Sequence, residues 1–342
     1  MEVLIFGGAG FFGSQLAEHL KTLGHIVTVA DINPTQMRLS DINYLKLDIR
    51  NSDDYQQLSN QYDLVVNSAA ALPSYSKEEI HSTDVVGIQV MCNWMKSNKV
   101  SRFIHISSTA VYGPAHEINV KESSSPNPTD NYSTAKLQGE NLISDSLKCA
   151  DFNWTILRPK AFVGKKRLGI FAILYDFALS GSRFPVLGNG DATYQFLHVM
   201  DLITAVNLTV KHSDKANGHI INISSQPDAS VSNIFQKVLD QAGHGKQVIH
   251  VPIIPAMFIL RLSSSLGISP IYDRLVHNLI AGSTISLDKA NDVISFTPSF
   301  TSSEAVLEGF DWYKSNVQNL ETGKTHNSLW KNKLASFVKL II

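Results

Sequence analysis

The chain opens with Val3-Leu4-Ile5-Phe6 and passes at once into Gly7-Gly8-Ala9-Gly10-Phe11-Phe12-Gly13. An apolar, β-branched run, a glycine-rich turn and an amphipathic stretch over Gly13–Thr22 read as strand, loop and helix. Gly7 can allow a tight turn, Gly10 can let the backbone approach a pyrophosphate, and Gly13 can let the helix lie close on the strand. Free N–H groups and the dipole at the helix start attract such an anion. A glycine string alone is weak evidence. Its place after a strand and before a helix gives it weight, with Phe11 and Phe12 at the helix entrance.

The rest of the first half repeats the strand–helix alternation. Candidate strands are Val3–Phe6, Ile26–Ala30, Asn43–Leu47, Leu64–Asn67, Arg102–Ser107 and Trp154–Arg158. Helical patterns cover Gly13–Thr22, Asp53–Asn60, Thr83–Ser97 and Asn131–Leu147. Such alternation predicts an α/β fold: a Rossmann-like, doubly wound parallel sheet covered on both faces. After Gly164 the pattern changes. A helical Ile170–Leu179 and a strand-like Tyr194–His198 come first, and helix Leu202–Val210 and strand Ile220–Ile223 are expected to rejoin the sheet. The predicted division is a dinucleotide-binding domain over 1–164 with 196–225, a smaller, mostly helical C-terminal cap over 165–195 and 226–320 that binds substrate, and a tail over 321–342.

Composition narrows the function classes. The 342 residues are 44% hydrophobic and 17% charged, ordinary for a folded chain, and the net charge of -1 gives no field favouring nucleic acid. Cys92 and Cys149, both in apolar helical surroundings, suggest neither a disulfide framework nor a metal site; a reducing, cytoplasmic setting fits them. No signal peptide is read at the N-terminus. No apolar run reaches the ~20 residues of a membrane helix; Ile253–Leu260 is interrupted by Pro255 and followed by Arg261.

Asp31 ends the second strand, where a carboxylate can accept hydrogen bonds from an adenosine ribose and would repel a 2′-phosphate, favouring NAD over NADP. It could also simply start the turn before Asn33-Pro34. Asp48-Ile49 can line the adenine pocket, though Asp48 is equally suited to a turn. Tyr132 and Lys136, four apart on a helix, share a face. A tyrosine hydroxyl is ordinarily a weak acid near pKa ~10, and a neighbouring ammonium favours its phenolate. Lys136 can also hold the nicotinamide ribose. Ser108, in Ser107-Ser108-Thr109-Ala110-Val111-Tyr112-Gly113, follows a strand at the carboxyl edge of the sheet. It can hydrogen-bond both a substrate oxygen and the Tyr132 hydroxyl, or merely cap the strand end.

Taken together, the Gly-x-x-Gly-x-x-Gly start, Ser-Ser-x-x-Val-Tyr-Gly, Tyr132-x-x-x-Lys136 and Leu157-Arg158-Pro159 resemble the extended short-chain dehydrogenase/reductases, the group of nucleotide-sugar epimerases and dehydratases. The similarity runs from Met1 to about Tyr313. The resemblance implies NAD as cofactor and Ser108, Tyr132 and Lys136 as catalytic residues. It makes Asn67-Ser68-Ala69-Ala70 a cofactor-lining segment through Ala69 and Ala70, with Ser107 and Pro159 beside it, and it implies a homodimer through helices 83–97 and 131–147. In the implied mechanism Tyr132 exchanges the carbinol proton while the nicotinamide exchanges hydride with the same carbon, and Ser108 steadies the alkoxide.

The chain also departs from that group. Ala161 stands where nucleotide-sugar members usually carry Asn near the diphosphate, Tyr194 where they often carry Arg, and Asp84 where they usually carry Asn. Lys160, Lys165, Lys166, Arg167 and Arg183 are nearby cations that could replace the lost contacts, or form a solvated loop. Thr109, Ala161, Arg167, Arg183 and Tyr194 are the candidate substrate contacts. Asp201 is expected to cap the following helix and His198 to end a strand; Met91 and Cys92 are read as core. The leading expectation is a nucleotide-sugar epimerase, dehydratase or reductase. A dehydrogenase of a larger apolar alcohol, a 3-hydroxysteroid or keto-lipid, is the alternative. It is favoured by Ala161, Tyr194, the apolar 251–260 stretch and the cationic, apolar tail from Leu329, which could lie on a membrane surface or simply dock or fray. A non-catalytic NAD-binding scaffold is the third.

Overall fold

The structure, a computed structural model, describes residues 1–33, 42–114, 118–265 and 273–320. Its centre is a seven-stranded sheet of β1 (Glu2–Phe6), β2 (Ile26–Asp31), β3 (Asn43–Lys46), β4 (Leu64–Asn67), β5 (Arg102–Ile106), β6 (Asn153–Pro159) and β7 (His219–Ile223). The spatial order is β3-β2-β1-β4-β5-β6-β7, and every pair is parallel. A parallel sheet must bury both faces, which is why its strands are nearly continuous apolar runs. Val3, Ile5, Val27, Val29, Val66, Ile104 and Ile221 face helices α1 (Phe11–Thr22) and α5 (Val199–Lys211). The alternate residues Leu4, Phe6, Val65, Phe103 and Ile156 face α2 (Gly87–Lys96) and α3 (Asn131–Leu147). Each such fully buried side chain is worth about 1.5–3 kcal/mol. The order reverses between β1 and β4, which opens a crevice at their carboxyl ends, beside the glycine loop.

A third core lies past the carboxyl end of β6, where Val163 joins it. α4 (Phe171–Leu179), α6 (Val231–Ala242) and α7 (Ser302–Asn316) pack around Leu174, Tyr175, Phe196, Ile234, Val238, Val306 and Phe310. In α6 the buried Val231, Ile234, Phe235, Val238 and Leu239 recur at helical spacing, and Gly243 ends the helix in the left-handed conformation at φ 81°. A parallel pair, Phe184–Leu187 with Val248–Val251, completes this region.

Several predicted elements differ. Asp53–Asn60 is only a 3-10 turn, Ser52–Gln57, started by the Asn51 side chain accepting from the Asp53 N–H; Tyr55 is its sole buried residue, so no apolar face extends it. The helix expected over Thr83–Ser97 starts earlier, at Lys77, behind a Ser76/Glu79 capping box, and passes through a π-helical stretch, Ser82–Val86, before α2. Of Tyr194–His198 only Leu197–His198 is a strand, paired with Phe162–Val163 outside the main sheet. Asp201 does not cap α5. His198 does, its Nδ1 accepting from the Met200 N–H, while both Asp201 oxygens accept backbone N–H groups of Ser299 and Phe300. Cys149 lies exposed after α3 rather than inside a helix; Cys92 and Met91 are core. Among the described residues no helix is long and apolar enough to cross a membrane. The tail expectation falls outside the described residues.

Candidate active site

A cavity of about 740 Å³ runs from the glycine loop to the ends of β5 and β6. At one end Gly7 adopts φ 72°, and a Cβ there would collide with the Ala69 backbone nitrogen. A Cβ on Gly13 would strike the Gly7 carbonyl oxygen and come within 2.6 Å of Gly8 Cα. Positions 7 and 13 therefore fit their neighbours only as glycine. Gly10 is the N-cap of α1, with no side chain capping it and no acidic residue in the first turn. Phe11 and Phe12 flank this open helix start on the cavity wall. Asp31 holds the loop directly: one oxygen accepts the Ala9 N–H at 3.1 Å and the other the Asn33 N–H at 2.9 Å. Of the two sequence readings of Asp31 the structure shows the turn starter, in the Asn33 contact, and the Ala9 contact ties the same carboxylate to the glycine loop. Asp48 and Ile49 line the cavity, but the Asp48 carboxylate is engaged by Arg50 at 2.6 Å, whose hydrogen bond holds its pKa below the usual carboxylate range. Ala69 and Ala70 also line it. Asn67 sets their path: its Oδ1 accepts the Ala69 N–H, and its Nδ2 donates to Nδ1 of the buried His105, which burial keeps neutral. A glycine cradle, an uncapped helix start and a carboxylate at the end of β2 suit a dinucleotide with a free ribose hydroxyl pair.

Midway, Tyr132 and Lys136 reach the cavity from α3, which Asp130 and Ser133 start with a capping box. Lys136 Nζ lies 5.7 Å from the Tyr132 ring centroid. Its ammonium is 2.8 Å from Asp84 Oδ1, and both side chains are buried. Burial alone would lower the Lys136 pKa; the charges of Asp84, Tyr132 and Glu140 outweigh it, and the net shift is upward. Asp84 comes from the π-helical stretch, its Oδ2 accepting the Ala71 N–H at 3.1 Å. Ser108 lines the cavity at the end of β5, and its Oγ accepts the Ala110 N–H at 3.1 Å, starting a 3-10 turn. That is the capping role, and it leaves the hydroxyl proton to donate elsewhere. Ser107 donates to Glu140 at 2.5 Å, and Glu140 is gripped by Arg158 at 2.5 and 2.9 Å. Arg158 also donates to the Tyr112 hydroxyl, which donates to Asn222. This buried network ties α3 to the ends of β5, β6 and β7. Glu140 was not among the expected site residues, though its spacing from Lys136 puts it on the same helix face.

Thr109, Pro159, Lys160, Ala161 and Tyr194 line the far end, and Arg167 lines the wall nearer the glycine loop. The Arg167 guanidinium lies over the Phe11 and Phe162 rings at 5.2 and 5.7 Å. Lys160 is buried, donates to the Ser283 hydroxyl and lies 4.5 Å from the Tyr194 ring centroid; burial lowers its pKa to about 7. No sequence signal pointed to Ser283. Arg183 is a correction: it is exposed and does not line the cavity, because the turn after α4 carries it outward. Lys165 and Lys166 pair instead with Glu308 and Glu18. No group of three or more His, Cys, Asp or Glu residues suited to a metal occurs among the described residues.

Residues 3–224 match the NAD dependent epimerase/dehydratase family. A protein of Sinorhizobium fredii described only as uncharacterized is 29% identical over 323 residues, 94% of this chain and 80% of its own length. A UDP-glucose 4-epimerase of Halalkalibacterium halodurans is 25% identical over 350 residues, covering 94% of this chain and 98% of its own. The crystal structure of the UDP-glucuronic acid 4-epimerase of Bacillus cereus in complex with NAD shares the fold with a TM-score of 0.74 at 22% identity, over 92% of this chain and 99% of that one.

Proposed function

This chain belongs to the NAD-dependent epimerase/dehydratase family, and from that premise we propose that it transfers hydride at a carbinol or keto carbon of a nucleotide-sugar, as an epimerase, dehydratase or reductase. The observation that carries the reading is a single cavity lined by the glycine loop, Ser108, Tyr132 and Lys136. In this proposal Gly7, Gly10, Phe11, Phe12, Gly13, Asp31, Ile49, Ala69 and Ala70 hold the dinucleotide, with Asp48, Ser107 and Pro159 along its path. NAD, when bound, supplies the hydride acceptor. The Tyr132 phenolate takes the proton of the substrate carbinol oxygen, and in the reverse direction its hydroxyl returns it. The Ser108 hydroxyl, whose oxygen already accepts from Ala110, donates to that same oxygen as negative charge develops on it. Lys136, kept protonated by Asp84, holds positive charge beside the phenol. Thr109, Ala161, Arg167 and Tyr194 form the substrate wall.

The third core supports treating most of 165–195 and 226–320 as a substrate-binding cap on a dinucleotide-binding part made of 1–164 and 196–225, though Ala290, Val293, Ile294 and Phe296 pack with the first core. The outward faces of α2 and α3, beside the exposed Val86, form the proposed homodimer contact, and light scattering that gives a monomer mass would refute it. A cytoplasmic setting suits Cys92 and Cys149, both free thiols.

The test is binding linkage followed by product analysis. On NAD-saturated protein, UDP- or dTDP-sugars are expected to raise Tm further and to be converted to an epimer, a keto sugar or an oxidised sugar. No added shift, together with NADH formation from a hydrophobic secondary alcohol, would replace this reading with the apolar-alcohol one. NAD binding with no turnover of either class would leave a scaffold.

A further inference from the structure

Lys160 presents an unusual combination. Its residue is 3% exposed, yet it forms part of the cavity wall. The side chain donates to a neutral hydroxyl, that of Ser283, and lies over the ring of Tyr194. Among the described residues no carboxylate pairs with it. The charge that a buried ammonium needs is therefore not supplied from the protein side. Both neighbours are held firmly: the Ser283 N–H donates to the Thr193 carbonyl at 2.9 Å, and Tyr194 packs on Phe196 with ring centroids 4.8 Å apart. The backbone of Lys160 is fixed to β7, its N–H donating to the Ile223 carbonyl at 2.9 Å. The adjoining wall at Ala161 offers no polar side chain. A pre-positioned cation whose partners are a hydroxyl and an aromatic ring, with no carboxylate among the described residues paired with it, is an incomplete ion pair.

We propose that Lys160 is the receptor for the anionic oxygens of the substrate, contributed either by a diphosphate or by a sugar carboxylate. The proposal rests on the nucleotide-sugar reading and names the charged group that reading requires. It has a consequence for pH. With its free-state pKa near 7, set by burial alone, Lys160 carries charge below that pH and loses it above. A bound anion holds the proton on. Affinity is then full below about pH 7 and falls as the pH rises, by up to tenfold per unit, until the pKa of the bound state is reached. The groups facing Lys160 are the Tyr194 ring and the Ser283 hydroxyl, and no histidine is among the described lining residues. A transition near 7 in nucleotide-sugar binding that Lys160→Met removes therefore reports on this amine.

The experiment is calorimetric titration of NAD-loaded wild type, Lys160→Met and Lys160→Arg at about pH 6 and about pH 8.5. The probes are UDP-glucose, UDP-glucuronate and inorganic pyrophosphate, and Tm with NAD serves as the folding control. Lys160→Met is expected to weaken binding roughly ten- to a hundredfold at the lower pH and to remove the pH dependence. Lys160→Arg should bind with little change between the two pH values, because guanidinium does not titrate there. Equal losses for both nucleotide-sugars assign the diphosphate; a loss confined to UDP-glucuronate assigns the carboxylate. Unchanged affinity and slope in Lys160→Met overturn the proposal while leaving the nucleotide-sugar reading intact. Pyrophosphate binding that depends on Lys160, with neither nucleotide-sugar bound by wild type, keeps the anion site and overturns the nucleotide-sugar reading. Binding of none of the three overturns both.

Discussion

Two carboxylates decide how the polar residues of the cavity behave. Asp84 gives Lys136 a buried counter-ion, so the charge beside Tyr132 is held in place rather than left to titrate. Removing one partner of such a buried pair costs about 3–5 kcal/mol, so Asp84→Ala is expected to lose that much in urea unfolding near neutral pH. The pH dependence follows from Lys136, whose folded pKa lies above its ordinary 10.5. Its stabilisation is complete below 10.5 and is lost as pH rises through the folded value, so the gap between wild type and Asp84→Ala should narrow in alkali. Asp31 works differently, gripping the Ala9 N–H while its carboxylate faces the cavity. Asp31→Ala is expected to weaken NAD by at least about tenfold and NADP by less, since the variant also removes the repulsion of a 2′-phosphate; fluorescence titration with both dinucleotides measures the difference, and equal losses would count against the ribose role.

Between elements, what matters is how strand ends are held in register with helices. The Arg158–Glu140 pair joins β6 to α3, and through Ser107 it fixes the end of β5 from which Ser108 projects. Arg158→Met is therefore expected to destabilise the fold by about 3–5 kcal/mol and to lower kcat by displacing Ser108, read out by unfolding and by turnover. On the opposite side, Glu308 of α7 accepts from His198 at 2.7 Å and pairs with Lys165 at 3.2 Å. The His198 hydrogen bond takes its pKa down to about 2 from an ordinary 4.5. The sign is that of a depressed acid: its contribution is full above pH 4.5 and disappears as pH falls toward 2, and Glu308→Gln should flatten that part of the stability curve. Much of the local order was legible in sequence, because the glycine loop, the parallel strands and the Tyr132/Lys136 spacing are written in periodicity and in short motifs. The capping box at Ser76 and Glu79 was equally legible but lay before the apolar pattern, so the helix start was placed too late. The π-helical turn that carries Asp84 to Lys136 was not legible, because the contact it makes is with a residue about fifty positions on, in α3.

Across the whole molecule, the sheet order brings together residues far apart in the chain. The loop after β1, the ends of β4, β5 and β6, and Ser283 from the C-terminal region meet around one cavity. Contacts of this kind cannot be read from local pattern. That is why Lys160 and Arg183 looked equivalent as loop cations, while the fold buries one in the cavity wall and turns the other out to solvent. In the proposed reading the glycine loop and the Tyr132/Lys136 pair, which line the same cavity, are a dinucleotide cradle and an acid/base pair, and a Tyr132→Phe variant separates the two. Its NAD affinity and its turnover of a nucleotide-sugar should be measured on the same preparation. Affinity within about twofold of wild type, with turnover lower by roughly a hundred- to ten-thousandfold, is the expected result; undiminished turnover would contradict the acid/base role of the phenol, and loss of NAD binding would contradict its separation from the cradle.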